Sequence, residues 1–85
     1  MPGPDWTIKL PHPVAPVRGD ALQTLADART YLASLPPGVR HQDDWVRAAK
    51  MLDAAAESGT GLAIEQATFA IERALFFHGL LAPRD

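Results

Sequence analysis

Five prolines within the first 16 residues determine what this stretch of the chain can form. They stand at positions 2, 4, 11, 13 and 16. Proline has no backbone N–H and disfavours helix at the residue before it, so residues 1–18 are predicted to form an extended, polyproline-like arm. Within the arm, Trp6, Ile8 and Leu10 alternate with polar residues, which places three apolar side chains on one side. We expect this side to pack against the same chain or, by strand exchange, against a second copy.

The rest of the chain, residues 19–85, has the apolar spacing of helices. Helices are predicted over about residues 20–35, 43–58 and 61–79, because apolar side chains recur there every three or four positions. The sequence therefore predicts an all-α fold, a single-domain three-helix bundle with the extended N-terminal arm packed across it.

Capping residues mark the ends of these helices. Asp20 can cap the first turn while Gln23 reaches back in a capping box, and Pro36-Pro37-Gly38 ends the first helix. Gly59 follows the second helix as a left-handed C-cap. The helix boundaries are therefore predicted from local backbone chemistry as well as from periodicity.

The third helix carries two apolar faces, although one helix of a small bundle buries only one. The face assigned to the core contains Ile64, Ala67, Ile71, Ala74, Leu75 and His78. The opposite line contains Leu62, Phe69, Phe76 and Leu80. Three covers for this line are open: the arm through Trp6, Ile8 and Leu10, a second copy of the protein, or a different protein.

The composition argues against several kinds of catalytic centre. The 85 residues contain no cysteine, which excludes disulfides, thiolate catalysis and cysteine-ligated metals. Ser34 and Ser58 have no base near them in the sequence, and Gly59-Thr60-Gly61 lacks the lysine and strand context of a phosphate-binding loop. No cofactor is predicted.

The histidines are the remaining residues with chemical potential. His41 with Asp43 and Asp44 has the donor types of a metal site, but acidic residues at a helix start are expected from the helix dipole alone. His78 is interpreted as a residue that complements the end of the third helix. His12, between two prolines, is expected to be solvated.

Net charge argues against nucleic acid as a partner. Eight basic and ten acidic residues give a formal charge of −2, too little positive charge to neutralise several phosphates. The chain also contains no signal-peptide pattern and no apolar run long enough to cross a membrane, so a cytoplasmic location is predicted.

Three segments resemble a group of short bacterial hypothetical proteins with no established activity. They are Trp-Thr-Ile-Lys-Leu-Pro at 6–11, Thr-Leu-Ala-Asp-Ala-Arg at 24–29, and Trp45 followed by Ala48-Ala49 and Leu52. The resemblance covers about residues 6–80 and implies a free-standing bacterial domain. It carries over no catalytic or binding residue, because the matching segments are explained by packing.

The function predicted from these features is a noncatalytic, helical protein–protein interaction module. It is expected to self-associate as a homodimer through the third helix and the arm. The alternative is a small ligand-binding protein or enzyme that uses His78 or His41 with nearby carboxylates. A DNA-binding regulator is the third and least favoured hypothesis, because the helix after Gly59-Thr60-Gly61 offers Glu65, Glu72 and only one Arg73 to the phosphates.

Overall fold

Two short strands precede four helices in the computed structural model, which describes residues 3–17 and 19–81. The elements in chain order are β1 (Lys9–Val14), β2 (Leu22–Thr24), α1 (Leu25–Ala33), α2 (Pro37–Arg40), α3 (Asp43–Ser58) and α4 (Gly61–Phe77). The two strands pair antiparallel in one sheet. The fold is therefore mixed, with helices packed beside a small sheet.

The prediction of an all-α three-helix bundle is wrong, because the first predicted helix begins as a strand. Leu22 pairs with Val14 and Thr24 pairs with Lys9, so the backbone of β2 forms a strand pair with the arm instead of a helical turn. The register shifts between these two pairs. Pro11 and Pro13 lie in the shifted stretch and have no N–H to give to a regular ladder. Residues 9–14 are extended, as predicted, but their partner strand was missed.

The N-cap of α1 is Thr24, four residues later than the predicted cap Asp20. The Thr24 hydroxyl accepts from the Asp27 backbone N–H at 3.1 Å, and the Asp27 carboxylate accepts from the backbone N–H groups of Thr24 and Gln23 at 3.2 and 3.0 Å. This is a complete capping box. It stabilises a helix start at Leu25 and leaves the preceding residues free to pair with β1.

The N-terminal arm also satisfies the first backbone donors of α1. The N–H groups of Leu25 and Ala26 donate to the carbonyl oxygens of Ile8 and Trp6, each at 2.9 Å. The start of a helix leaves several N–H groups without intrahelical acceptors, so these two bonds fasten the arm to α1 through its backbone. Near the other end of the arm, the Val17 N–H donates to the Leu80 carbonyl at 2.7 Å.

The connection after α1 differs from the prediction that Pro36-Pro37-Gly38 only ends the first helix. The helix ends at Ala33, where the Ser34 hydroxyl donates to the Tyr31 carbonyl at 2.6 Å. Pro37 then occupies the first position of the short helix α2, a position that needs no N–H. The proline pair therefore starts a helix as well as separating it from α1.

Helices α3 and α4 form a hairpin joined by Gly59 and Thr60. The bounds of α3 match the predicted range 43–58, and Gly59 has the left-handed φ of +65° expected of its C-cap. The Thr60 hydroxyl accepts from the Ala63 N–H at 3.3 Å and caps α4. The last helix ends at Phe77, two residues before the predicted end.

The core lies where α1, α3 and α4 meet the inner side of the sheet. Its largest fully buried side chains include Trp45, Leu52, Ile71 and Leu75. Small residues let the two long helices approach closely. The buried alanines of the hairpin are Ala48, Ala55, Ala56, Ala67 and Ala74.

Candidate interaction surface

A line of large apolar side chains runs along the outer face of α4. Leu62, Phe69, Phe76 and Phe77 are 66%, 65%, 69% and 60% exposed, and we call these four residues the α4 strip. From Leu62 to Phe76 the strip extends over about 21 Å of helix. Exposed apolar residues that occur singly are ordinary, whereas an aligned group of this size is typical of a binding surface.

The predicted interface residues of the arm lie away from this strip. Leu10 is buried, and Trp6 and Ile8 are half-buried against the core. Leu80, assigned from the sequence to the exposed line, also packs against the core, and its N–H donates to the Leu75 carbonyl at 2.7 Å. The structure therefore brings Leu62, Phe69 and Phe76 together and places the other four predicted residues elsewhere.

Phe77 belongs to the strip but was not predicted. Its ring lies 5.9 Å from the Phe76 ring in an edge-on arrangement, and the Arg73 guanidinium lies 5.3 Å above its centre. A helical projection places Phe77 about 100° from Phe76, outside a narrow line. The adjacent pair of phenylalanines was the available signal, because Phe77 projects outside the face assigned to the core, which Ile71, Ala74 and Leu75 form.

Charged side chains border the strip with both signs. Glu65, Glu72 and Arg73 all line the groove beside the strip, and Arg73 packs over the Phe77 ring. His12 Nε2 lies 2.9 Å from Glu72 Oε1, which connects β1 to α4. An apolar centre with a mixed polar border is the usual anatomy of a protein–protein interface.

An open groove of about 630 Å³ adjoins the strip. Leu62 and Phe69 contribute to its lining together with Met51 of α3 and Pro11 of β1. The outer surface of α4 is therefore concave as well as apolar, because a depression lies beside the Phe69 ring.

The described residues do not form the metal site that the sequence suggested at His41, Asp43 and Asp44. His41 is exposed and ends α2, while Asp43 and Asp44 occupy the first turn of α3. Residues 3–17 and 19–81 contain no group of three or more His, Cys, Asp or Glu side chains arranged to hold a metal ion. Asp43 and Asp44 complement the positive end of the α3 dipole.

His78 occupies the C-cap position of α4, one residue before Gly79, the C-cap expected from the sequence. Its backbone N–H donates to the Ala74 carbonyl at 3.1 Å, its Nε2 lies 3.8 Å from Asp44 Oδ2, and its ring packs 5.4 Å from the Trp45 ring. These contacts connect the end of α4 to the start of α3.

Within the part of the chain that the structure describes, no helix combines the length and apolarity needed to cross a membrane. Comparison with known proteins gave no match: no family model, no curated protein and no solved structure is significantly similar to this chain.

Proposed function

We propose that this chain is a noncatalytic interaction module that forms a homodimer through the α4 strip. The observation that carries the proposal is the alignment on one helix of Leu62, Phe69, Phe76 and Phe77, each at least 60% exposed. The arm, which could have covered them, packs elsewhere on the same chain.

The area of the strip is sufficient for a small dimer. A phenylalanine side chain offers roughly 200 Å² of surface, so the four exposed side chains present roughly 500 Å² in each copy. Two strips packed together would bury about 1,000 Å² before any border residue is counted, which is the lower limit for a specific interface.

The strip also meets the requirements of two-fold symmetry. In a two-fold dimer the same patch is used by both copies, so one self-complementary surface is enough. Both signs of charge lie beside the strip, on Glu65, Glu72 and Arg73, so a carboxylate of one copy can face the guanidinium of its partner. A domain of this size buries a limited core, and association would add to its stability.

The solution mass tests this proposal. We expect light scattering to give twice the chain mass of 9.2 kDa at high concentration and a shift toward the monomer on dilution. The double variant Phe69→Gln, Phe76→Gln should remain monomeric, because glutamine keeps the helix propensity of α4 but removes both rings. Val17→Gln is the matched control, since Val17 is 52% exposed and lies outside α4.

Two outcomes would overturn the homodimer. A wild-type chain that stays monomeric at millimolar concentration would do so. A double variant with unchanged helical circular dichroism and an undiminished dimer mass would show that the copies meet through another surface.

A further inference from the structure

A second depression in the surface, independent of the α4 strip, lies between the arm, α1 and α3. It has a volume of about 440 Å³, and we call it the tryptophan cleft because both tryptophans of the chain, Trp6 and Trp45, line it. Its apolar lining includes the buried side chains Leu32 and Leu52. The cleft and the α4 strip share no residue.

Positive charge is concentrated around this cleft. Arg29 of α1, Arg40 of α2 and Lys50 of α3 line it, against a single carboxylate, Asp53. The described residues that line the cleft therefore have a formal charge of +2, in a chain whose net charge is −2. Three separate helices contribute the three cations, so the cluster is produced by the tertiary fold.

The cations of the cleft have no acidic partner among residues 3–17 and 19–81. The Arg29 guanidinium lies 4.6 Å above the Trp6 ring, and Arg40 Nη1 donates to the Ala33 carbonyl at 3.4 Å. Neither these arginines nor Lys50 forms an ion pair within the described residues. Like charges around one space repel each other unless an anion lies between them, so the arrangement favours a negatively charged ligand.

We propose that the tryptophan cleft binds a small phosphate monoester. A phosphate monoester carries close to two negative charges at neutral pH, which matches the formal charge of the cleft, whereas a carboxylate would neutralise only half of it. Arginine offers a planar fork of donors suited to phosphate oxygens, and lysine adds a mobile point charge. The apolar lining and the volume suit the organic part of a small ligand.

The two tryptophans that line the cleft can report directly on ligand binding. The probe is inorganic phosphate, added at constant ionic strength in place of chloride, and the readouts are the two indole N–H signals by NMR and the tryptophan emission. We expect a saturable change in both readouts. Sodium acetate under the same conditions should produce a much weaker response, because its single charge is a poorer match.

Single substitutions locate the response. Arg40→Gln and Lys50→Gln should each raise the half-saturating phosphate concentration by about threefold to tenfold, because each removes a charged donor. Asp53→Asn should lower it, because it neutralises the one carboxylate among the described residues that line the cleft. Arg47→Gln is the matched control: it lies on α3 three residues before Lys50 but lines the groove beside the α4 strip instead.

Three results would overturn the phosphate site. They are the absence of any phosphate response, a response that acetate reproduces or that never saturates, and an equal loss of response in Arg47→Gln and Lys50→Gln. The monomeric variant Phe69→Gln, Phe76→Gln should respond to phosphate as the wild type does, so failure of the dimer and failure of the cleft are distinguishable.

Discussion

Thr24 and Asp27 decide where α1 begins. Their reciprocal hydrogen bonds satisfy donors that would otherwise lack acceptors at the start of the helix. Asp20, the capping residue expected from the sequence, is exposed and lies before β2. The choice between the two caps determines whether residues 22–24 pair with the arm.

Removing the observed cap should therefore destabilise the fold. Thr24→Ala is expected to lower the free energy of unfolding by about 1 kcal/mol, the usual cost of losing an N-cap side chain. Asp20→Ala should leave it nearly unchanged. Urea denaturation of both variants checks this, and equal losses would contradict the assignment of the cap to Thr24.

Asp5 and Thr7 form a small turn around Trp6, which lines the tryptophan cleft. The Thr7 hydroxyl and backbone N–H both donate to Asp5 Oδ1, at 2.6 and 3.0 Å. These bonds favour the ionised carboxyl, the hydroxyl bond most strongly, and lower the pKa of Asp5 below its ordinary value. The stabilisation by ionised Asp5 is present above the ordinary carboxyl range and is lost as pH falls through the lowered pKa.

This pKa provides a direct check on the turn. Thr7→Val should raise the pKa of Asp5 toward its ordinary value, because the stronger of the two donors is removed. Thr7→Ser keeps the hydroxyl and should keep the pKa low. Carboxyl carbon shifts followed by NMR during an acid titration measure the pKa in both variants. If Asp5 has the same pKa in Thr7→Val as in the wild type, the turn does not persist in solution.

At the level of elements, β1 shows how a proline-rich segment can join a core. Leu10 and Val14 are buried, and the strand contacts β2 on one side and α4 on the other. The prolines between them remove donors from the ladder, so side-chain burial contributes much of what holds the strand in place.

Burial of Val14 predicts a clear difference between two nearby valines. Val14 is 1% exposed and Val17 is 52% exposed. Val14→Ala should lower the free energy of unfolding by about 2 kcal/mol, whereas Val17→Ala should change it by less than about 0.5 kcal/mol. Thermal and urea unfolding provide the measurement, and a silent Val14→Ala would mean that the arm does not belong to the folded core.

The helix pair α3 and α4 was predictable because its signals are local. Apolar spacing, the Gly59 C-cap and the two-residue connection all act within a few residues of each other. The exposed position of Leu62, Phe69 and Phe76 followed from the same periodicity. The pairing of β2 with β1 did not follow, because residues 20–24 also fit a helical pattern and the partners of Leu22 and Thr24 lie 8 and 15 residues earlier in the chain.

The cation cluster of the tryptophan cleft could not be predicted from the sequence for a related reason. Arg29, Arg40 and Lys50 are widely spaced along the chain, and each reads alone as an ordinary surface residue. Only the packing of α1, α2 and α3 brings them around one space. By contrast, the acidic pattern near His41 was conspicuous in the sequence and is explained by the start of α3.

On the scale of the whole molecule, the surface has two regions that differ in polarity and charge. One region is the α4 strip, which is apolar with a border of mixed charge. The other is the tryptophan cleft, which is positively charged. Because no residue belongs to both, a substitution in one region should leave the other intact, and charge changes of the same type can be compared between them.

Charge reversal at Arg73 tests the border of the proposed dimer. Arg73→Glu would add a third carboxylate to Glu65 and Glu72 beside the strip, so two copies would repel each other. We expect dimerisation about tenfold weaker at low salt and a smaller loss at high salt, where screening is stronger. Lys50→Glu, which makes the same charge change in the tryptophan cleft, should leave the dimer unaffected in sedimentation experiments.

The contact between β1 and α4 imposes an order on folding. Only Gly59 and Thr60 separate α3 from α4, so these helices can meet early, whereas His12 and Glu72 are 60 residues apart. Contacts over such distances require a large loop to close and form late. The side chains of Leu10 and Val14 therefore become fully buried only when α4 packs against β1. We therefore expect the amides of β1 to become protected from hydrogen exchange after those of α3 and α4.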